Sequence, residues 1–243
     1  MADFIFVHGS WHWGGCFQKV ANALAIRGHT VLLPDLATHG YDATPVGAVA
    51  DMAQYTGSVR HLLATGKTPA IIVGHSMGGA TCDYLGELMP ERIRSLVYLA
   101  AFMCPSGACP DDYIFAETNR GVPLAELVSR DARGIHLSLD DLRKLKLAFY
   151  ADCSDHDVAI AARNIIPITP AAPNTTPSNI TAERFGRVRR IYIECADDRA
   201  ITLATQRKMQ QDVPGAERVS MAASHSPFFS QPEQLADILH SIA

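Results

Sequence analysis

Six residues restrict the possible folds of this chain more than any others. Ala70-Ile71-Ile72-Val73 is an aliphatic run with the length of a buried strand. It passes directly into Gly74-His75-Ser76-Met77-Gly78-Gly79, and apolar residues then recur at helical spacing over Gly78–Met89. A strand, a sharp turn and a helix in so short a space require strained backbone at Ser76. Gly74 and Gly78 lack Cβ atoms, so strand and helix can approach closely around it. The Ser76 hydroxyl is thereby expected above the carboxyl end of a strand, beside a helix N-terminus. Free N–H groups and the helix dipole there favour negative charge.

The rest of the chain supplies the frame such a turn needs. Phe4–Val7, Val31–Leu33, Leu96–Ala100, Arg190–Glu194 and Arg218–Met221 read as further short strands. Between them Phe17–Ile26, Met52–Ala64, Gly78–Met89, Asp198–Asp212 and Gln231–Ile242 read as helices, with Gly28 and Gly66 as stops. Alternation of this kind predicts an α/β fold with a parallel sheet. Phe102–Gly186 breaks the rhythm. It has helical patches (Leu124–Ser129, Leu139–Tyr150, Asp155–Asn164) and no buried-strand run, and Pro167–Pro177 cannot be regular helix. The expected organisation is a core of residues 1–101 and 187–243, with residues 102–186 inserted as a helical cap.

At 243 residues the chain fits one α/β domain, and 48% apolar residues suffice for a large core. A net charge of −4 with no Lys/Arg block gives no footprint for nucleic acid or a membrane surface. Neither a targeting segment nor a membrane-spanning apolar stretch is visible. The six Cys show no metal or redox spacing, so reduced thiols in a cytoplasmic protein are expected.

A serine hydroxyl attacks a carbonyl only with a base, and the base needs an orienting acid. With the serine on such a turn, the chain order is Ser, Asp or Glu, then His. His136 and His156 fall in the cap and His240 in the last helix. His225 follows the last strand in Ala222-Ala223-Ser224-His225-Ser226-Pro227 and is the expected base. Asp197 and Asp198 both leave the preceding strand. Asp198 is preferred, and spacing does not settle the choice. After the first strand, His8-Gly9-Ser10-Trp11-His12-Trp13 can bring the N–H of Ser10 beside that of Met77 as an oxyanion hole. His8 and His12 are expected to pin this loop by hydrogen bonds.

The residues Phe4–His12, Gly28-His29-Thr30-Val31, Pro34-Asp35-Leu36 and Gly74–Gly79 resemble the plant methylesterase and hydroxynitrile lyase branch of the α/β-hydrolases, together with its bacterial esterase relatives. Pro90–Ile93, Phe149–Cys153 and Glu194–Ile201 continue the resemblance, which covers nearly the whole chain and is weakest over Cys109–Arg143. It implies a six-stranded, mostly parallel sheet with helices on both faces and a helical cap. It also implies a triad of Ser76, Asp198 and His225, and so favours Asp198 over Asp197. In one group of the lyases a Thr stands at the position of Gly9 and a Lys follows the catalytic histidine. Here Gly9 and Ser226 occupy those places. No ammonium is placed to meet cyanide, which points to ester hydrolysis through an acyl-enzyme. The expected substrate is a small, largely apolar ester, with carbamates and lactones also open. Expected pocket residues are Gly9, Trp11, Trp13, Phe102, Phe149, Tyr150 and Phe228. No metal or other cofactor is required, and homodimerisation is left open. The alternatives are a hydroxynitrile lyase and a ligand-binding protein on a hydrolase scaffold.

Overall fold

Strand alternation divides the interior into two cores. In the computed structural model, which describes residues 1–243, Phe4 and Phe6 face one side of the first strand and Ile5 and Val7 the other. In chain order the strands are β1 (Asp3–Val7), β2 (Thr30–Leu32), β3 (Ala70–His75), β4 (Ile93–Leu99), β5 (Val128–Asp131), β6 (Gly134–Leu137), β7 (Ile168–Thr169), β8 (Arg189–Cys195) and β9 (Ala216–Met221). Six of them form a sheet in the order β2-β1-β3-β4-β8-β9, and every neighbouring pair is parallel. Helices Gln18–Ile26 and Pro232–Ile242 cover the Phe4 face. Helices Gly57–Thr65, Gly78–Leu88 and Leu203–Asp212 cover the Ile5 face. The strand order reverses between β1 and β3, and in open α/β sheets the crevice beyond such strand ends is where ligands bind.

Local chemistry sets the element ends. Gly28, at φ +84°, closes helix Gln18–Ile26, with its N–H on Ala25 O (2.9 Å) and that of His29 on Leu24 O (3.1 Å). The helix expected over Met52–Ala64 is two, Met52–Tyr55 and Gly57–Thr65. The break is at Thr56, whose hydroxyl bonds back to Met52 O (2.7 Å) while Tyr55 is fully buried. The helix expected from Asp198 begins at Leu203, capped by Thr202.

The segment between β4 and β8 departs from the helical expectation. Helix Asp155–Asn164 keeps its expected bounds, and Leu142–Phe149 occupies most of the second patch. The first patch is a 3₁₀ turn, Pro123–Glu126, followed by β5. Strands β5, β6 and β7 form an antiparallel sheet where only helices are expected. Its hairpin turns at Ala132-Arg133, where Asp131 accepts from the Arg133 N–H (2.8 Å). Gly134 admits the neighbouring strand, since a Cβ there would lie 2.4 Å from Thr169 O. Pro167–Pro177 contains β7 and one helical turn, Ala172–Thr175. All six cysteines are free thiols, and no helix is long and apolar enough to cross a membrane.

Helix Gly78–Leu88 touches its surroundings through bare backbone. A Cβ on Gly78 would lie 2.4 Å from Val7 O, and one on Gly79 would lie 1.9 Å from Phe102 O. At Gly57, the exposed first residue of its helix, a Cβ would meet nothing within 4 Å. Gly78→Ala and Gly79→Ala should therefore unfold the protein or lower its stability by more than about 3 kcal/mol. Gly57→Ala should be neutral or stabilising by up to about 1 kcal/mol. Urea midpoints of the three variants check this, and an unaffected Gly79→Ala protein contradicts it.

Candidate active site

Ser76 sits between β3 and helix Gly78–Leu88 at φ +54°, in the left-handed region that a residue with a Cβ seldom occupies. The neighbouring backbone holds it there. Its N–H donates to Leu99 O (3.3 Å), and its carbonyl accepts from Gly79 (3.1 Å) and Phe102 (3.0 Å). A Cβ on Gly74 would meet Gly78 O at 2.6 Å, so strand and helix pack as closely as the motif requires. From the other side comes the loop after β1. The site of a Gly9 Cβ is 2.8 Å from Ser76 Cβ and 3.3 Å from its Oγ. The N–H groups of Ser10 and Met77 donate to no backbone carbonyl, and both residues line one cavity with Ser76.

Two of the expected acid–base groups are joined. His225 Nδ1 lies 2.7 Å from Asp198 Oδ2, with both side chains essentially inaccessible to solvent. The other oxygen of Asp198 accepts from the N–H groups of Ala200 (2.7 Å) and Ile201 (2.9 Å). Gln206 braces this turn through Cys195 N–H and O (both 3.0 Å) and Ile201 O (2.8 Å). Asp197, one residue earlier, is exposed. His225 Nε2 is buried without a partner, so its hydrogen bond to Ser76 is not closed here. The other histidines weighed as bases are engaged elsewhere or exposed. His136 pairs with Asp131 on the cap hairpin (2.8 Å), His240 with His29 (2.8 Å), and His156 is exposed.

The cavity above Ser76 holds about 400 Å³, within the range of small-molecule sites. Trp11, Phe102 and Phe149 line it as expected. Four other expected residues do not. Gly9 lies under Ser76. Trp13 stacks on His12 and packs against Phe229. The Tyr150 hydroxyl donates to His12 Nε2 (2.7 Å), so this ring belongs to the loop's support. Phe228 is fully buried between Phe17 and His75, 4.8 Å from each ring. Leu124, Val128 and Ile135 of the cap and Ile201 beside the acid turn also line the cavity, although the sequence does not single them out. Alternation over Ile135–Leu137 is the one signal that could reveal the cap strand.

Residues 4–238 match the alpha/beta hydrolase family, and the chain belongs to it. It is 33% identical over 248 residues to the pyrethroid hydrolase of Sphingobium wenxiniae, covering 100% of this chain and 88% of that protein. Methylesterase 7 of Arabidopsis thaliana is 28% identical, covering 99% and 95%. The crystal structure of a pyrethroid hydrolase from Sphingobium faniae JZ-2 superposes with a TM-score of 0.92 at 32% identity, covering 99% and 96%.

Four buried histidines support the site as neutral rings. His8 Nδ1 donates to Gly9 O (2.9 Å), and its Nε2 accepts from Leu36 (3.1 Å). His12 Nδ1 donates to Ser10 O (2.9 Å), and His39 Nδ1 to Ala37 O (3.0 Å) while its Nε2 accepts from Trp11 (3.2 Å). His75 Nε2 donates to the carbonyl of His225 (2.8 Å). The expected pinning role of His8 and His12 is therefore what the contacts describe. Burial is the main force against protonation. It pushes His8 and His75 well below the ordinary histidine value, and His12 and His39 to about 4. On unfolding, each ring takes up a proton below about pH 6.5, so this stability is complete above that pH and lost as pH falls. Asp83 acts oppositely, because burial raises its carboxyl to about 7 and the native state keeps a proton that the unfolded chain releases. The lowered rings outnumber Asp83, so unfolding takes up protons on balance near pH 5. Urea titrations should show stability rising steeply from pH 5 to 6.5; a flat profile would refute it.

Proposed function

We propose that this chain is a serine carboxylesterase acting on a largely apolar ester through Ser76, His225 and Asp198. The observation that carries the reading is the buried 2.7 Å contact between His225 Nδ1 and Asp198, which leaves Nε2 as the free base. In the proposed cycle Ser76 Oγ attacks the ester carbonyl as His225 Nε2 takes its proton, a transfer that requires the open Ser76–His225 contact to close around substrate. The oxyanion is held by the N–H groups of Ser10 and Met77. His225 then gives its proton to the leaving alcohol. Water, deprotonated by the same ring, releases the acid from Ser76. Asp198 fixes the tautomer and offsets the charge that His225 acquires.

The names of the relatives agree with ester hydrolysis, and the cavity favours apolar acyl and alcohol parts over charged ones. Trp11, Phe102, Phe149, Val128 and Ile135 form the apolar part of its wall, and its two arginines, Arg120 and Arg130, are paired with Glu117 and Asp111. Its volume suits esters larger than a methyl acetate, and the likeness to a pyrethroid hydrolase makes pyrethroid esters candidates. The lyase alternative has less support, since a Thr at Gly9 would bring its Cβ to 2.8 Å from that of Ser76. The test is a panel of p-nitrophenyl esters, methyl esters, carbamates and cyanohydrins. Aryl esters should be hydrolysed, with little cyanide released; rapid, Ser76-dependent cyanide release overturns the reading.

Three substitutions test the assignment. Ser76→Ala should lower kcat by at least about 10³-fold in a folded protein. Asp198→Asn should cost about 10⁴-fold, while Asp197→Asn stays within a few-fold of wild type. Steady-state kinetics on p-nitrophenyl butyrate decide the point, and the reverse order of the two aspartates would exclude the assignment.

A further inference from the structure

The loop carrying His225 is held at three consecutive residues, one by His75 and two by the adjacent Asp152 and Cys153. His75 Nε2 donates to the His225 carbonyl (2.8 Å), and the Cys153 thiol lies 3.8 Å from Ser226 O. The third hold is the most elaborate. Asp152 lies in the cap turn between helices Leu142–Phe149 and Asp155–Asn164. One of its oxygens accepts from the Ser224 N–H (3.1 Å) and the other from the Ser224 hydroxyl. It also accepts from the Ser230 hydroxyl (3.0 Å) and faces the Gln231 amide (3.5 Å). Ser224 is 1% exposed, so within the fold its N–H and hydroxyl find their partner in Asp152. Phe149, in the same cap segment, sets its ring 5.6 Å from the His225 imidazole and lines the cavity.

We propose that Asp152 is a positioning residue, whose carboxylate fixes the Ser224–Ser226 loop so that the His225 ring meets Asp198 and Ser76 together. The inference rests on the reading of His225 as the base. Asp198 restrains one ring atom, Nδ1, and the backbone on either side must set the position and tilt of the ring. A misplacement of about 1 Å in a catalytic group costs about 10²-fold. A carboxylate offers two acceptor oxygens, and this site uses both. Burial works against its charge, yet the donors on Ser224 and Ser230 hold its carboxyl below the usual range. Asp152 belongs to the cap and Ser224 to the core, so the grip ties the base to the roof of the cavity.

The test compares Asp152→Ala, Asp152→Asn and Ser224→Ala with wild type, using p-nitrophenyl butyrate and the rate at which a fluorophosphonate labels Ser76. Asp152→Ala should lose about 10- to 100-fold in kcat with KM within about twofold, and labelling should slow in proportion. Asp152→Asn, which keeps one acceptor, should fall between. The downfield proton shared by His225 and Asp198 should broaden in Asp152→Ala at temperatures where circular dichroism shows the chain folded. A folded Asp152→Ala protein with kcat and labelling rate within about twofold of wild type overturns the proposal. If that variant does not fold, wild-type kcat in both Asp152→Asn and Ser224→Ala overturns it. Ser76→Ala is the separate control, because residual activity there would remove the triad reading itself, whatever Asp152 does.

Discussion

The backbone of helix Gly78–Leu88 rests against the backbones of two other segments with no side chain between them. Gly78 meets the end of β1 at Val7 O, and Gly79 meets Phe102 O just beyond β4. Ser76 is tied to the same strand ends through Leu99 and Phe102. Three parallel strands thus fix one residue, and the registers Val7↔Gly74 and His75↔Leu99 set the geometry. The positive φ at Ser76 persists because its surroundings over-determine it. The loop after β1 can approach because Gly9 offers no Cβ on that side.

Around this backbone contact the chain uses histidine as a neutral spacer. A neutral imidazole has one donor and one acceptor on opposite edges, so it can bridge two backbone segments and leave neither edge unsatisfied. His8 joins Gly9 to Leu36, and His39 joins Ala37 to Trp11. His12 joins Ser10 to Tyr150 of the cap. Burial holds these rings neutral. His75 and His225 have ring centroids 4.5 Å apart, and a second charge there would be strongly unfavourable.

Much of this architecture is legible in the amino-acid sequence. The parallel sheet follows from apolar runs with few competing readings, and the turn at Ser76 from glycines whose spacing admits one geometry. The Asp197–Asp198 choice is not legible in spacing, because it depends on which side chain the turn directs inward. Ala200 and Ile201 N–H groups make that turn around Asp198. The cap strands are obscured because β5 is short and mostly exposed and carries little alternation. Trp13, Tyr150 and Phe228 depart from their expected places for another reason. Large aromatics near strand ends can face either the cavity or the layer beneath it, and here His12, His75 and Phe17 take those three rings into the lower layer.

The small cap sheet has a consequence for how such a protein changes over time. Strand side chains alternate, so Ile135 reaches the cavity while its neighbour His136 faces the Asp131 turn. Neither β5 nor β6 pairs with the strands that fix Ser76, and Ile135 meets the loop beside Ser76 through its backbone carbonyl, which accepts from Trp11 Nε1 (3.0 Å). Residues on one face of this hairpin can therefore be exchanged for larger or smaller ones without straining the reaction centre. Part of the cavity wall is thus carried on a piece of backbone apart from the strands that hold Ser76, and lineages can drift in the first while the second stays still.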